Sequence, residues 1–486
     1  MKKSSLTHRL FPNGGIIGLV FFAVPVFAED AGKVEELRRV IEAQQQQLEM
    51  HQKQLDTQRQ LLQKLEAQLK SLDTDADQEE VPVAAETPSV ETPTDSTKVA
   101  RSRGGGLSDE GRHDLDSPTG ASVSYTEPAV TLAVPSTNTE IGLNGFAQFQ
   151  IIHDSDGMNS NEFNTIAIPV NGAPSQTKFN VNPSRFGITS ATGLGYGRIN
   201  TLISIDLNGQ LDSPELRLRE AYGEFIHDEL DFAVLGGQTF TTTLDLKSVP
   251  ETLDFAGPTG YFARRQPLLR FSKLFDHKVR LDVAAETPEN AVITGANLRT
   301  RWPNFVVAGA WDVSGEYVDH VRLAGLVSDL NADDTFGNSG SALGWAISGS
   351  GKVRIPFLGE RDNFKFGIQY GEGFGGQIKS GPADAEFNPV TGELETIGVF
   401  STYGGVQHFW SDSFRSNLVY GYVDADNPGF IAGDSLENTS YFAADIIWAP
   451  YKTVTVGAEY LWGRRQNKDG AAGTANRILF SSKFEF

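Results

Sequence analysis

The last residues of the chain constrain its fold more than any other stretch. In Ile478-Leu479-Phe480-Ser481-Ser482-Lys483-Phe484-Glu485-Phe486, side chains alternate across an extended strand. Ile478, Phe480, Phe484 and Phe486 share one face, and Leu479, Ser481, Lys483 and Glu485 the other. One apolar and one wet face suit a strand set between lipid and a polar lumen, so the pattern predicts a chain that ends by closing a transmembrane β-barrel. The alternative is the edge strand of a soluble sheet.

The opening residues favour the membrane. Lys2, Lys3 and Arg9 precede an apolar run from Ile16 to Ala28, which predicts a signal peptide over 1–28. No later stretch reaches the roughly 18 consecutive apolar residues of a membrane helix, so any crossing must use strands. The chain has 0 Cys, which excludes disulfides and thiolate metal sites. A formal charge of -21 argues against nucleic acid as a partner. With 50 Gly and 31 Phe, the composition fits tight turns and a half-apolar wall, and nothing in it calls for a cofactor.

Three regions follow the leader. Over 29–72 a heptad pattern puts Val34, Ile41, Leu48, Leu55, Leu62 and Leu69 at a, and Leu37, Gln44, His51, Gln58, Leu65 and Leu72 at d. A lone helix could not bury that seam, so an α-helical coiled coil and self-association are predicted. Gln44, His51 and Gln58 make polar layers that fix register and oligomer size, His51 being read as a register-setting residue rather than a pH sensor or ligand. Residues 73–138 are rich in Pro, Thr, Ser and Gly and predict a disordered linker, with a basic spot at Arg101 and Arg103. From 139 to 486 the pattern becomes short alternating strands separated by Asn-, Asp-, Gly- and Pro-rich turns. An all-β transmembrane barrel of about sixteen antiparallel strands is expected. Trp302, Trp311, Trp345, Trp410, Tyr422, Trp448 and Trp462 fall near strand ends, where interfacial girdles belong.

A barrel of that size is wide enough to hold water, so its inward side chains matter. Arg217 and Arg219 are two apart, with Leu216 and Leu218 on the opposite face, so both guanidinium groups should enter the lumen together. Arg185, Arg198, Arg270 and Arg280 alternate with apolar neighbours in the same way. Arginines so placed would attract small anions and hold carboxylates bidentately. Alternatively, they pair with Asp206, Asp282 and Glu286 as solvated lumen charges. The stretch Thr241–Arg265 is too long and too Pro/Gly-broken for a tight connection; folded inward it would set Arg264 and Arg265 beside a constriction, and otherwise it is an external loop.

Several motifs resemble the DcaP-like porins of Gram-negative outer membranes: Ser184-Arg185-Phe186-Gly187, Leu216-Arg217-Leu218-Arg219, Ala221-Tyr222-Gly223, Gly237-Gln238-Thr239, Pro250-Glu251-Thr252-Leu253-Asp254 and Arg265-Gln266-Pro267. The resemblance spans leader, coil, linker and barrel. It implies a homotrimeric sixteen-stranded porin, with its coil in the periplasm, passing small anionic solutes including dicarboxylates through a constriction carrying Arg185, Arg217, Arg219 and Arg265. A terminal Phe486 also resembles the signal read by the barrel-assembly machinery. Other classes are a sugar-specific porin, which favours an aromatic slide over arginines, and an envelope tether whose working part is the coil. Catalysis is not expected, because the histidines sit in no Ser/His constellation. Asp424, Asp426 and Asp434 lack the spacing of a Ca²⁺ site.

Overall fold

The computed structural model describes residues 130–486, except 159, 210–213, 277, 314–316 and 335–336. The expected leader, the coiled coil and the linker up to residue 129 lie outside the described residues.

The wall is built from β1 (Thr139–Asp156), β2 (Arg185–Leu194), β3 (Gly197–Asp206), β4 (Arg217–His227), β5 (Phe232–Phe240), β6 (Arg265–Phe275), β7 (Val279–Glu286) and β8 (Asn304–Asp312). It continues with β9 (Val318–Asp334), β10 (Ser339–Arg354), β11 (Asn363–Glu372), β12 (Gly398–Phe409), β13 (Phe414–Asp426), β14 (Leu436–Tyr451), β15 (Val454–Asn467) and β16 (Ala472–Glu485). Each strand pairs antiparallel with the next, and β16 returns to β1 from Phe146↔Glu485 to Asp156↔Asn476. The sheet is therefore a closed barrel of 16 strands, as the sequence pattern predicts.

Alternation sorts the side chains. On β9, Leu323 and Val327 are exposed on the outside, while Arg322, Ala324, Leu326 and Ser328 are buried inside. Val307, Leu343, Ile347, Ile368 and Leu418 extend the same exposed apolar surface around the wall, as a lipid-facing side requires. The tryptophans divide into two levels. Trp302, Trp345 and Trp462 lie towards the long-loop end, with Tyr422, and Trp311, Trp410 and Trp448 towards the short-turn end.

Short turns such as Gly195-Tyr196 and Lys452-Thr453 join strands at one end, and the segments 157–184, 241–264, 287–303 and 373–397 join them at the other. One boundary differs from the sequence reading, which ends the linker at 138. Val130–Ala133 already forms a strand paired to β1, Val130↔Leu143 through Ala133↔Glu140, because a turn closed by Val134 N–H to Thr139 O folds it back. It continues the edge of β1 on which Phe486 exchanges two backbone hydrogen bonds of 2.9 Å with Gly145.

Candidate pore constriction

The 241–264 loop folds into the barrel. Its neck is closed by Thr241 N–H to Arg264 O, and the buried Glu286 carboxylate accepts from Thr241 Oγ1, Thr242 N–H and Gln266 Nε2. From that neck, between β5 and β6, the loop crosses to the far wall and is clamped strand by strand. Asp245 Oδ1 lies 3.0 Å from His320 Nε2 on β9, and its Oδ2 accepts from Ser350 Oγ on β10. Lys247 Nζ reaches Asp312 on β8 at 3.0 Å, and Lys365 Nζ on β11 donates to Val249 O. Arg415 on β13 holds Glu251 with two 2.7 Å bonds. Glu459 on β15 accepts the N–H groups of Leu253 and Asp254 at 3.0 and 2.6 Å. Beneath these polar clamps, Leu244, Val249, Tyr261 and Phe262 pack against inward Val306, Leu326, Ala346, Val399, Tyr403 and Val423. The far wall is thus occupied by the loop, and the arginines stand on the near wall.

Four of the expected arginines converge there. Leu216 and Leu218 are 66% and 47% exposed on the outer surface, and Arg217 and Arg219 turn inward as their spacing predicts. A β-bulge opposite Ser204/Ile205 leaves Arg219 unpaired in the ladder, so Glu220, the next residue, also points inward. Arg217 binds Asp206 bidentately at 3.0 and 2.9 Å, and Arg219 Nε lies 3.2 Å from the same carboxylate without hydrogen-bond alignment. Arg185 stands 3.9 Å from Asp206. Arg265 pairs with Glu220 and stacks over Phe240, while Phe255, at the turn of the inward loop, receives the guanidinium groups of Arg185 and Arg219 at 5.8 and 5.5 Å.

Two residues of other loops complete the group, and neither stands out in the sequence. Glu162, from 157–184, lies 3.9 Å from Arg217 and 3.4 Å from Lys379 of 373–397. Burial pushes the Glu162 carboxyl up, but Lys379, Arg217 and Arg219 outweigh it and hold it below its ordinary value. Four arginines and Lys379 therefore face Asp206, Glu220 and Glu162, with Asp254 beside Lys379. Positive charge is in excess, and Arg265 Nη2 has no hydrogen-bond partner among the described residues.

The other expected arginines lie elsewhere. Arg270 and Arg280 belong with Asp282, which Arg280 and the unforeseen Arg322 bind at 3.1 and 2.9 Å. Arg264 donates from Nε to Gly376 O at 2.6 Å and so ties the inward loop to 373–397. Arg198 sits at the short-turn end, paired with Asp228, at the opposite end of its strand from Asp206. The expected pairing of these arginines with carboxylates is seen at Asp206 and Asp282, each of which is shared by more than one cation. It fails for Glu286, whose partners are threonine, glutamine and backbone. Loop–loop contacts also bury two carboxyls. Asp254 accepts from Phe163 N–H, and Asp384 from Val292 and Gly376 N–H; burial pushes both up to about 6.

The barrel is similar to the solved structure of the outer membrane channel DcaP of Acinetobacter baumannii, with a TM-score of 0.65 and 18% identity, over 73% of this chain and 99% of that one. It is also similar to an anion-selective porin from Comamonas acidovorans, with a TM-score of 0.50 and 10% identity, over 72% of this chain and 100% of that one. No family model matches the chain, and no curated protein matches it. The fold is that of the DcaP-like outer-membrane channels.

Proposed function

We propose that the protein is a DcaP-like porin of the Gram-negative outer membrane, through which small anionic solutes, dicarboxylates among them, diffuse passively past an arginine-lined constriction. The observation that carries the reading is the excess of cations at Arg185, Arg217, Arg219, Arg265 and Lys379 over Asp206, Glu220, Glu162 and Asp254, opposite the far wall to which the loop is clamped. A carboxylate about 6 Å from one uncompensated charge would gain roughly 3 kcal/mol at an effective dielectric of 20. Two carboxylates on one solute would engage two such groups. Arg198, at the far end of its strand, takes no part in this reading, and Arg270 and Arg280 would act further along the path. The heptads of 29–72 support a periplasmic coil that joins copies, and a homotrimer is the assembly proposed. Phe486 is proposed as the residue by which the barrel-assembly machinery recognises the chain.

The test is the Arg217→Gln/Arg219→Gln double variant in planar bilayers. Anion preference, read as the reversal potential in a salt gradient, should shift towards cations. Block by succinate should weaken roughly tenfold, equivalent to ~1.4 kcal/mol, and more at low ionic strength. Glucose-driven liposome swelling should change little. Unchanged reversal potential and block would assign these arginines to wall architecture alone.

A further inference from the structure

The clamped loop lies against the far wall with almost no space between the two backbones, and glycine makes this possible. Three wall glycines, one each on β12, β13 and β15, lie under successive parts of the loop. A Cβ on Gly405 would stand 2.6 Å from Pro250 Cβ and 2.9 Å from Pro250 Cγ. One on Gly457 would stand 2.6 Å from Leu253 Cδ1, the movable end of a loop side chain, and 2.8 Å from Ile446 O of the neighbouring strand, so this glycine serves the wall as well as the loop. On Gly421 a Cβ would run into the carbonyl oxygen of Thr259, with Thr259 N at 3.0 Å. From the loop side, Gly260 has φ +97, and a Cβ there would meet Tyr422 O and Thr402 O at 2.9 and 3.0 Å. By contrast, Gly309 on β8 has no atom within 4 Å of an added Cβ, so a missing side chain there serves no such approach.

We infer that Gly405, Gly421 and Gly457 form a seat for the 241–264 loop and thereby set the bore of the channel. The loop is held to the far wall by Arg415, Glu459 and His320, so a methyl group inserted beneath it has one direction in which to push. That direction is across the lumen, carrying Phe255 towards Arg185 and Arg219. Adding atoms to the wall at these positions narrows the passage by more than the atoms themselves occupy, because the whole loop moves. Close-packed interiors transmit such displacements rather than absorbing them.

The inference rests on the proposed function only in requiring a diffusive channel, and not on its preference for anions. Gly421→Ala and Gly405→Ala are made in the full chain, and unitary conductance in KCl is measured together with liposome swelling for a small and a larger neutral sugar. Both variants should lose conductance, with swelling falling further for the larger sugar, while Gly309→Ala behaves as the unaltered protein. The reversal potential should keep its sign, which separates this result from a failure of the arginine reading. Pro250→Gly removes the ring atoms opposite Gly405, so Gly405→Ala/Pro250→Gly should regain conductance lost in Gly405→Ala. Heat-modifiable migration on gels reports the folded barrel, and if Gly421→Ala does not fold, the Gly405 and Pro250 variants decide alone. Folded variants with unaltered conductance and swelling, or a double variant without recovery, would overturn the inference.

Discussion

At the scale of single residues, alternation makes Arg217 and Arg219 legible in the sequence, and the bulge beside them was not. A bulge depends on the register of two strands, Ser204↔Glu220 beside Ile205↔Leu218, and one strand read alone carries no trace of it. Lys379 and Glu162 were missed for a related reason: they come from loops whose closure depends on the barrel around them. Asp254 carries a pH dependence that follows from the same closure. Its carboxyl is buried where 157–184 meets the inward loop, faced by Glu162, Lys379, Arg477 and Glu459, with Phe163 N–H at 3.4 Å. Burial raises it from 3.8 to about 6. The neutral form is therefore the one the fold favours. Its stabilisation is complete below about pH 4 and is lost as pH rises through 6, a difference on the order of 2–3 kcal/mol. Protease cleavage within 157–184 should accordingly slow as pH falls from 7 to 5, measured against an unfolded reference substrate. Asp254→Asn should abolish that dependence; an unchanged profile in this variant would assign it to another group.

At the scale of elements, the strands were readable and the loop was only half so. Period-two alternation is local, and it marks 139–486 as a succession of strands, of which the last, at Ile478–Phe486, is the plainest. The length and Pro/Gly content of Thr241–Arg265 announced an irregular segment but left its direction open. What draws it inward is distributed over β8 to β15, in small wall residues such as Ala346 and in single partners such as Arg415. The strand Val130–Ala133 is not separable from the linker in the sequence, because four residues are too few for periodicity to register. Among the clamps, Arg415 on Glu251 is a buried bidentate ion pair. Arg415→Ala leaves a buried carboxylate without its bidentate partner, a change that typically costs about 3–5 kcal/mol. The barrel should remain folded on gels while the loop loosens, seen as open-channel noise in single-channel records. Glu251→Gln in the same background should quieten the channel again, since no charge is then stranded. Noise that persists in the double variant would place the defect outside this pair.

At the scale of the whole molecule, closure depends on the two ends of the described chain. Phe484 and Phe486 continue the exposed apolar face of β16, and the backbone of Phe486 pairs with Gly145. Deleting Phe486 removes both an apolar surface and the last rung of the seam. Folded outer-membrane protein should fall severalfold, measured by heat-modifiable migration, while the amount exported past the inner membrane stays constant. Undiminished folded yield would make the terminal aromatic dispensable. The seam also carries a kinetic consequence. Gln148 and Ser481, bonded across it at 2.9 Å, are 333 residues apart in sequence, whereas most other wall contacts join neighbours along the chain. Loop-closure entropy makes such a contact the slowest to form. The edge of the first strand from Phe146 to Asp156 therefore stays without its partner until the sixteenth strand arrives, and closing the ring is the last event in building the wall.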